Sequence, residues 1–169
     1  FMTYILASNL PELVPFLFMV ALKIPPALVI MQILAIDLGT DMVPALALGA
    51  ERAETGTMQQ PPRKKSQSLL DAPLLFRAYG FLGPLEAVLG MAAFFLVWWS
   101  NGYGLTELQT VTPAILSRTA DAATIALYTQ ATTMTLASVV ACQTGNVFAC
   151  RSERTSIWRL GFFSNPQIW

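Results

Sequence analysis

Asp37 and Asp41 stand four residues apart in the run Asp37-Leu38-Gly39-Thr40-Asp41-Met42-Val43-Pro44, so they share one face of any helix built there. The run lies inside a long apolar segment. An ionisable side chain at membrane depth costs several kcal/mol and marks a functional site by default. A second polar island, Ser8-Asn9-Leu10-Pro11-Glu12-Leu13-Val14-Pro15, interrupts the preceding apolar segment. Asn9 and Glu12 are three apart and also share a face. Pro11 cannot donate to the carbonyl of Ala7, Pro15 to that of Pro11, or Pro44 to that of Thr40. Freed carbonyls at membrane depth need a cavity, a side chain or an ion to satisfy them. Carboxylates, amide oxygens and loose carbonyls are the hard ligands that Ca²⁺ prefers, and they also suit Na⁺ or K⁺. Broken helices holding cations near the bilayer midplane recur in transporters. The plainer reading of one such Asp is an interhelical hydrogen bond worth about 1 kcal/mol. Three carboxylates with Asn9 exceed that role.

The elements that must position these groups are membrane helices. The 169 residues are 54% hydrophobic and 12% charged, with mean hydropathy +0.54. Soluble domains carry roughly 25% charged residues. An all-α, polytopic helix bundle with the lipid bilayer as its partner is the expected fold class. Four apolar stretches, about 1–22, 27–49, 74–99 and 122–150, each supply the roughly 20 residues that a span needs. Thr, Gln and Asn dilute the fourth, and Trp98-Trp99 closes the third with an interfacial aromatic pair. Phe1-Met2-Thr3-Tyr4-Ile5 reads as mid-helix, with no basic leader, so the chain reads as part of something longer. Net charge is zero, which leaves nucleic-acid binding without an electrostatic footprint. With no His, zinc chemistry and Ser-His-Asp catalysis are not expected. Cys142 and Cys150 sit in an apolar run and read as small hydrophobes.

The connections set the orientation. Lys23-Ile24-Pro25-Pro26 reads as a tight hairpin that makes the first two spans neighbours. Residues 50–73 form a polar loop holding Pro61-Pro62-Arg63-Lys64-Lys65. Residues 100–121 read as a Gly/Asn/Thr loop, and the tail holds Arg151, Arg154 and Arg159. Basic residues concentrate on the cytoplasmic side. Placing 50–73 and the tail inside leaves only Lys23 and Arg118, of ten Lys and Arg, outside. Glu12, Asp37, Asp41 and Glu86 lie within spans, with no Lys or Arg deep in any span to pair with them. They must then be protonated, hydrogen-bonded or neutralised by a bound cation.

Ser8-Asn9-Leu10-Pro11-Glu12, a hairpin, and then Asp37-Leu38-Gly39-Thr40-Asp41-Met42-Val43-Pro44-Ala45 resemble the fifth and sixth membrane helices of P-type cation-transporting ATPases of the second class. That class includes the sarcoplasmic calcium pump and the sodium/potassium pump. The resemblance continues through Ala45-Leu46-Ala47-Leu48-Gly49, the 58–63 loop and, more weakly, helices seven and eight. It implies ion ligands at Asn9, Glu12, Asp37, Thr40 and Asp41, and at Gln143 and Asn146 on the last span. For that last pair, ordinary interhelical hydrogen bonding is the competing reading. Ser8 falls where proton/potassium pumps place Lys, Asp37 where sarcoplasmic calcium pumps place Asn, and Asn146 where sodium/potassium pumps place Asp. The transported ion therefore stays open among Ca²⁺, Na⁺ and K⁺. Glu86 has no firm family role; it reads as a protonated or snorkelling carboxyl facing the bundle, with an extra proton or ion site, or part of an exit pathway, as the alternatives.

The resemblance also implies partners. Phosphorylation, nucleotide and actuator domains of a parent chain would supply ATP hydrolysis with Mg²⁺. The Asp-Lys-Thr-Gly-Thr phosphorylation motif is not in these residues, so they hold no catalytic or cofactor-binding residue. Gly80 and Gly83 lie in an apolar span and read as close helix packing, not a phosphate cradle. The 50–73 loop would touch the phosphorylation domain or anchor at anionic lipid. A helper subunit near 100–121 is left open. The expected location is a plasma membrane of prokaryotic type. Two other classes compete: a secondary transporter or channel using the same carboxylates without ATP, and a structural or regulatory membrane module.

Overall fold

The computed structural model describes residues 1–53, 59, 61–62, 68–152 and 155–168. Arg63, Lys64 and Lys65, most of the basic loop, and Arg154 of the tail lie outside the described residues. Four helices are long and apolar enough to cross a membrane: α1 (Met2–Leu22), α2 (Ile30–Gly49), α3 (Ala72–Ser100) and α5 (Ala122–Ala149). A shorter α4 (Leu105–Leu116) and a single turn α6 (Ile157–Leu160) complete them, and no strand occurs among the described residues. At 1.5 Å per residue α1 and α2 are each about 30 Å long, the thickness of a bilayer core. Large side chains such as Val20, Ile30, Met31, Leu46 and Val88 point outward, as lipid-facing helices require.

Local chemistry sets the ends. α1 stops at Lys23, whose φ of 54° is left-handed, and the following Ile24-Pro25-Pro26 cannot continue a helix. Gln109 on α4 donates to the Leu22 carbonyl at 2.7 Å and so satisfies one orphan acceptor of that end. The connection is not a four-residue hairpin. It runs to Val29 and is built into the interior: Ile24, Ala27 and Leu28 are buried, and the Tyr128 hydroxyl donates to the Pro26 carbonyl at 3.0 Å. α2 therefore starts at Ile30, with Gln32 reaching back to accept from the Val29 N–H. Asp71 caps α3 by accepting from the Leu74 N–H, and Asp121 caps α5 by accepting from the Thr124 N–H. The hydrogen bonds from Thr124 hold the Asp121 carboxyl below its usual range.

Two of the long helices carry a wide turn, and proline explains both. α2 is π-helical over Ile36–Met42, just before Val43-Pro44. α3 is π-helical over Phe76–Leu82, just before Gly83-Pro84. Pro lacks the N–H that would reach the carbonyl four residues back, and its ring crowds that carbonyl. Widening to a five-residue repeat relieves the clash, as the Gly83 N–H shows by donating to the Ala78 carbonyl.

Residues 105–116 correct the expectation of an irregular 100–121 loop. Leu108, Thr112 and Ile115 bury one face of α4 at helical spacing. The turn residues Asn101, Gly102 and Gly104 flank the helix but do not enter it, and Pro113 masked its period. α4 closes one end of the bundle over Phe94, Trp98 and Ile24, where Tyr103 packs edge-on to Trp98. α3 is the central helix and packs on both α1 and α5. Its glycines permit this. A Cβ on Gly90 would meet Val139 at 3.2 Å. A Cβ on Gly83 would meet the Ala7 carbonyl oxygen at 2.9 Å, so α3 closes onto the very carbonyl that Pro11 has released.

Candidate cation site

α1 and α2 bring Glu12, Asp37 and Asp41 together: one carboxylate oxygen from each lies within 4.8 Å of the others. All three side chains are half-buried. Three like charges at that spacing repel strongly in a low dielectric unless protons or cations intervene. Among the described residues the one ion pair joins Arg151 to Glu51, far along the chain, and none reaches these three. One oxygen of Glu12 is buried with no hydrogen-bond partner.

The surrounding helices hold the cluster from the sides. Gln143 on α5 donates to Asp41 at 2.8 Å, while the buried Ser8 hydroxyl on α1 donates to the Ile5 carbonyl at 3.1 Å. The Thr40 hydroxyl bonds back to the Ile36 carbonyl at 3.1 Å, four residues earlier. The Thr40 carbonyl, which Pro44 cannot serve, accepts from the Tyr4 hydroxyl on α1. α1 is thus tied to the backbone of the wide turn of α2. A narrow cleft of about 90 Å³, lined by Tyr4, Thr40, Pro44, Gln143 and Thr144 among others, opens beside this junction.

Two expected ligands lie elsewhere. Asn9 is exposed, and its amide turns back to the Ile5 carbonyl at 3.1 Å on its own helix. Asn146 is buried one turn from Gln143 and donates to Glu86 of α3 at 2.8 Å, not to the three-carboxylate group. Its carbonyl oxygen accepts from the Cys150 thiol at 3.4 Å. Glu86 itself is 3% exposed, so it faces the bundle interior and does not snorkel. Tyr4, Ser8 and Glu86 are the residues that motif reading left out of the site. Tyr4 and Ser8 recur at the helical spacing that leads on to Glu12, so the face alone could have found them.

Acceptor oxygens that outnumber donors, gathered where broken helices meet, are suited to hold a cation or protons. Residues 25–169 match the family described as "Cation transporting ATPase, C-terminus". The sodium/potassium-transporting ATPase subunit alpha of Tetronarce californica is 34% identical over 172 residues, covering 94% of this chain and 17% of that protein. The subunit alpha-4 of Homo sapiens is 42% identical over 106 residues, covering 62% of this chain and 10% of the relative. The subunit alpha-2 of Gallus gallus is 33% identical over 172 residues, with 94% and 17% covered. The chain therefore spans less than a fifth of the length of the curated relatives it matches. With its four membrane helices and the family match over most of its length, this chain belongs to the C-terminal membrane region of the P-type cation-transporting ATPases.

Proposed function

We propose that this chain is the cation-carrying part of an ATP-driven pump, with Glu12, Asp37 and Asp41 as the central ligands. The observation that carries the reading is their convergence within 4.8 Å, from two proline-broken helices, with no basic side chain paired to them among the described residues. Thr40 and Gln143 adjoin the group, and Asn9 and Asn146 complete the proposed ligand set once neighbouring helices move. Family membership supplies the energy source. Phosphorylation, nucleotide and actuator domains of the parent would hydrolyse ATP with Mg²⁺ and drive alternating access. The transported cation is monovalent in this reading: the relatives are named for sodium and potassium.

The wide turns of α2 and α3 suit such a cycle. A π-turn holds fewer ideal hydrogen bonds than an α-turn, so a local rewinding there re-aims side chains at small cost. Rewinding Ile36–Met42 would rotate Asp37 and Asp41 against Glu12 and change affinity and exposure together. We place the 50–73 loop and the tail on the cytoplasmic side of a plasma membrane, with α4 on the opposite side.

The test is ATP hydrolysis by the full-length protein under Na⁺, K⁺ and Ca²⁺ at several pH values. Stimulation by a monovalent cation is the expected result. Hydrolysis indifferent to every cation, or ion movement without ATP, would overturn the reading in favour of a structural module or a secondary transporter.

A further inference from the structure

The two helices that carry the three carboxylates are each held by the backbone at the α4 end of the bundle. Gln109 of α4 donates to the Leu22 carbonyl in the last turn of α1, at 2.7 Å. The Tyr128 hydroxyl of α5 donates to the Pro26 carbonyl, just ahead of α2, at 3.0 Å. Connections between helices usually run over the surface and move. This one does neither. Ile24 and Ala27 are fully buried and share one apolar cluster with Phe94, Trp98 and Leu108. Pro25 and Pro26 fix two further φ angles. Leu28 packs with Ile36, the first residue of the wide turn, and with Val139 of α5. Only Ile30–Ala35 separates the held connection from the wide turn. That stretch is Ile-Met-Gln-Ile-Leu-Ala, with neither Gly nor Pro to yield, and spans about 9 Å of straight helix.

We propose that Gln109 and Tyr128 are positioning residues for transport, which anchor the ends of α1 and α2 so that a rewinding of Ile36–Met42 turns Asp37 and Asp41 against Glu12. Neither side chain belongs to the carboxylate group; each acts through a backbone carbonyl of the connection. A helix segment can be rotated against its neighbour only if one of its ends has something to push on. With the connection anchored to α4 and α5, the turn works against the rest of the bundle. With it loose, the same rewinding moves the connection instead, and the three carboxylates keep their mutual geometry. Hydrolysis then proceeds without release of the cation, and the pump slips. This role rests on the pump reading above and adds to it what the wide turn of α2 works against.

The experiment measures cations moved per ATP hydrolysed by the full-length protein in proteoliposomes, with ²²Na⁺ and ⁸⁶Rb⁺ as the probes, and equilibrium binding of the same isotopes. Tyr128→Phe removes one hydroxyl and keeps the ring; Gln109→Met removes the amide and keeps the length. Each lost hydrogen bond shifts a conformational balance about fivefold. In the double variant the ratio of cations to ATP is therefore expected to fall at least about twofold, with the binding constant unchanged. A merely structural role would lower the amount of folded protein, which leaves a ratio per ATP where it was. A wild-type ratio in the double variant overturns the anchoring role. A ratio that falls together with binding affinity overturns it as well, because the two residues would then act on the ligands themselves. Should the double variant not accumulate, Tyr128→Phe decides alone on the same two readouts. If the wild-type protein moves no cation with ATP, the pump reading fails first; a coupled pump indifferent to both substitutions removes only the anchoring role.

Discussion

Two acidic regions of this protein are answered in opposite ways. At the end of α2, Glu51 is gripped by Arg151 through two bonds of 2.8 and 2.9 Å. The same guanidinium donates to the Gly161 and Phe162 carbonyls and to Ser164, and Asn165 adds bonds to Glu51 and to the Ala47 carbonyl. A planar fork of fixed donors locks the tail onto the helix end. Midway along α1 and α2, Glu12, Asp37 and Asp41 crowd within 4.8 Å and receive no basic side chain at all among the described residues. Where a carboxylate serves architecture, the chain provides its own cation. At the proposed cation site, none is provided among the described residues. A built-in Arg at the second place would occupy the site permanently.

Crossed substitutions should separate the two regions. Asp41→Asn is expected to abolish cation-stimulated phosphoenzyme turnover while leaving the melting temperature of the full-length protein unchanged or raised, because one unanswered charge is gone. Wild-type turnover in that variant would break the comparison. Arg151→Met should do the reverse. It leaves the Glu51 carboxylate with Asn165 but without its cation at a nearly buried pair, so a loss of about 3 kcal/mol in unfolding free energy is expected. The cation concentration for half-maximal hydrolysis should stay put; a large shift there would show that the clamp belongs to the ion site.

Smaller effects sharpen the picture. Gly83→Ala inserts a methyl group 2.9 Å from the Ala7 carbonyl oxygen and must push α1 from α3. Overpacking of this kind costs about 1–3 kcal/mol, readable as a lowered melting temperature. The smallest expected effect is the pH dependence of the clamp. The hydrogen bonds from Arg151 hold the Glu51 carboxyl below its usual range, with Asn165 assisting against the opposing effect of burial. A carboxyl depressed in the folded state contributes stability that is complete above its unfolded pKa of about 4.3 and is lost as pH falls through the folded value. The stability difference between wild type and Glu51→Gln should therefore be constant near neutral pH and vanish in acid. A difference that grew on acidification would contradict the assignment.

Much of the architecture was legible because membrane burial writes itself in long apolar runs. Expected spans of about 74–99 and 122–150 meet helices Ala72–Ser100 and Ala122–Ala149 within a few residues. The second span was read three residues too early. Ala27 and Leu28 are apolar, but they serve a buried connection, not a helix. α4 was missed because its flanking Asn and Gly residues and its own Pro113 signal turns, whereas its period rests on a few buried side chains. In the site, spacing within one helix placed Asp37 beside Asp41, but partners across helices are invisible to spacing. Gln143 reaches Asp41 from α5, and Asn146 turns instead to Glu86. No pattern along one strand of sequence distinguishes those two outcomes. The wide turns before Pro44 and Pro84 were foreshadowed by the prolines, yet their form depends on the carbonyl finding a donor one residue further on.

The central claim is that Glu12, Asp37 and Asp41 hold the transported cation. Equilibrium binding of ²²Na⁺ and ⁸⁶Rb⁺ to the full-length protein, in wild type and in the triple variant Glu12→Gln, Asp37→Asn, Asp41→Asn, tests it most directly. Saturable binding of at least one isotope in wild type and its loss in the triple variant is the predicted result. Binding that survives neutralisation of all three carboxylates would contradict the account.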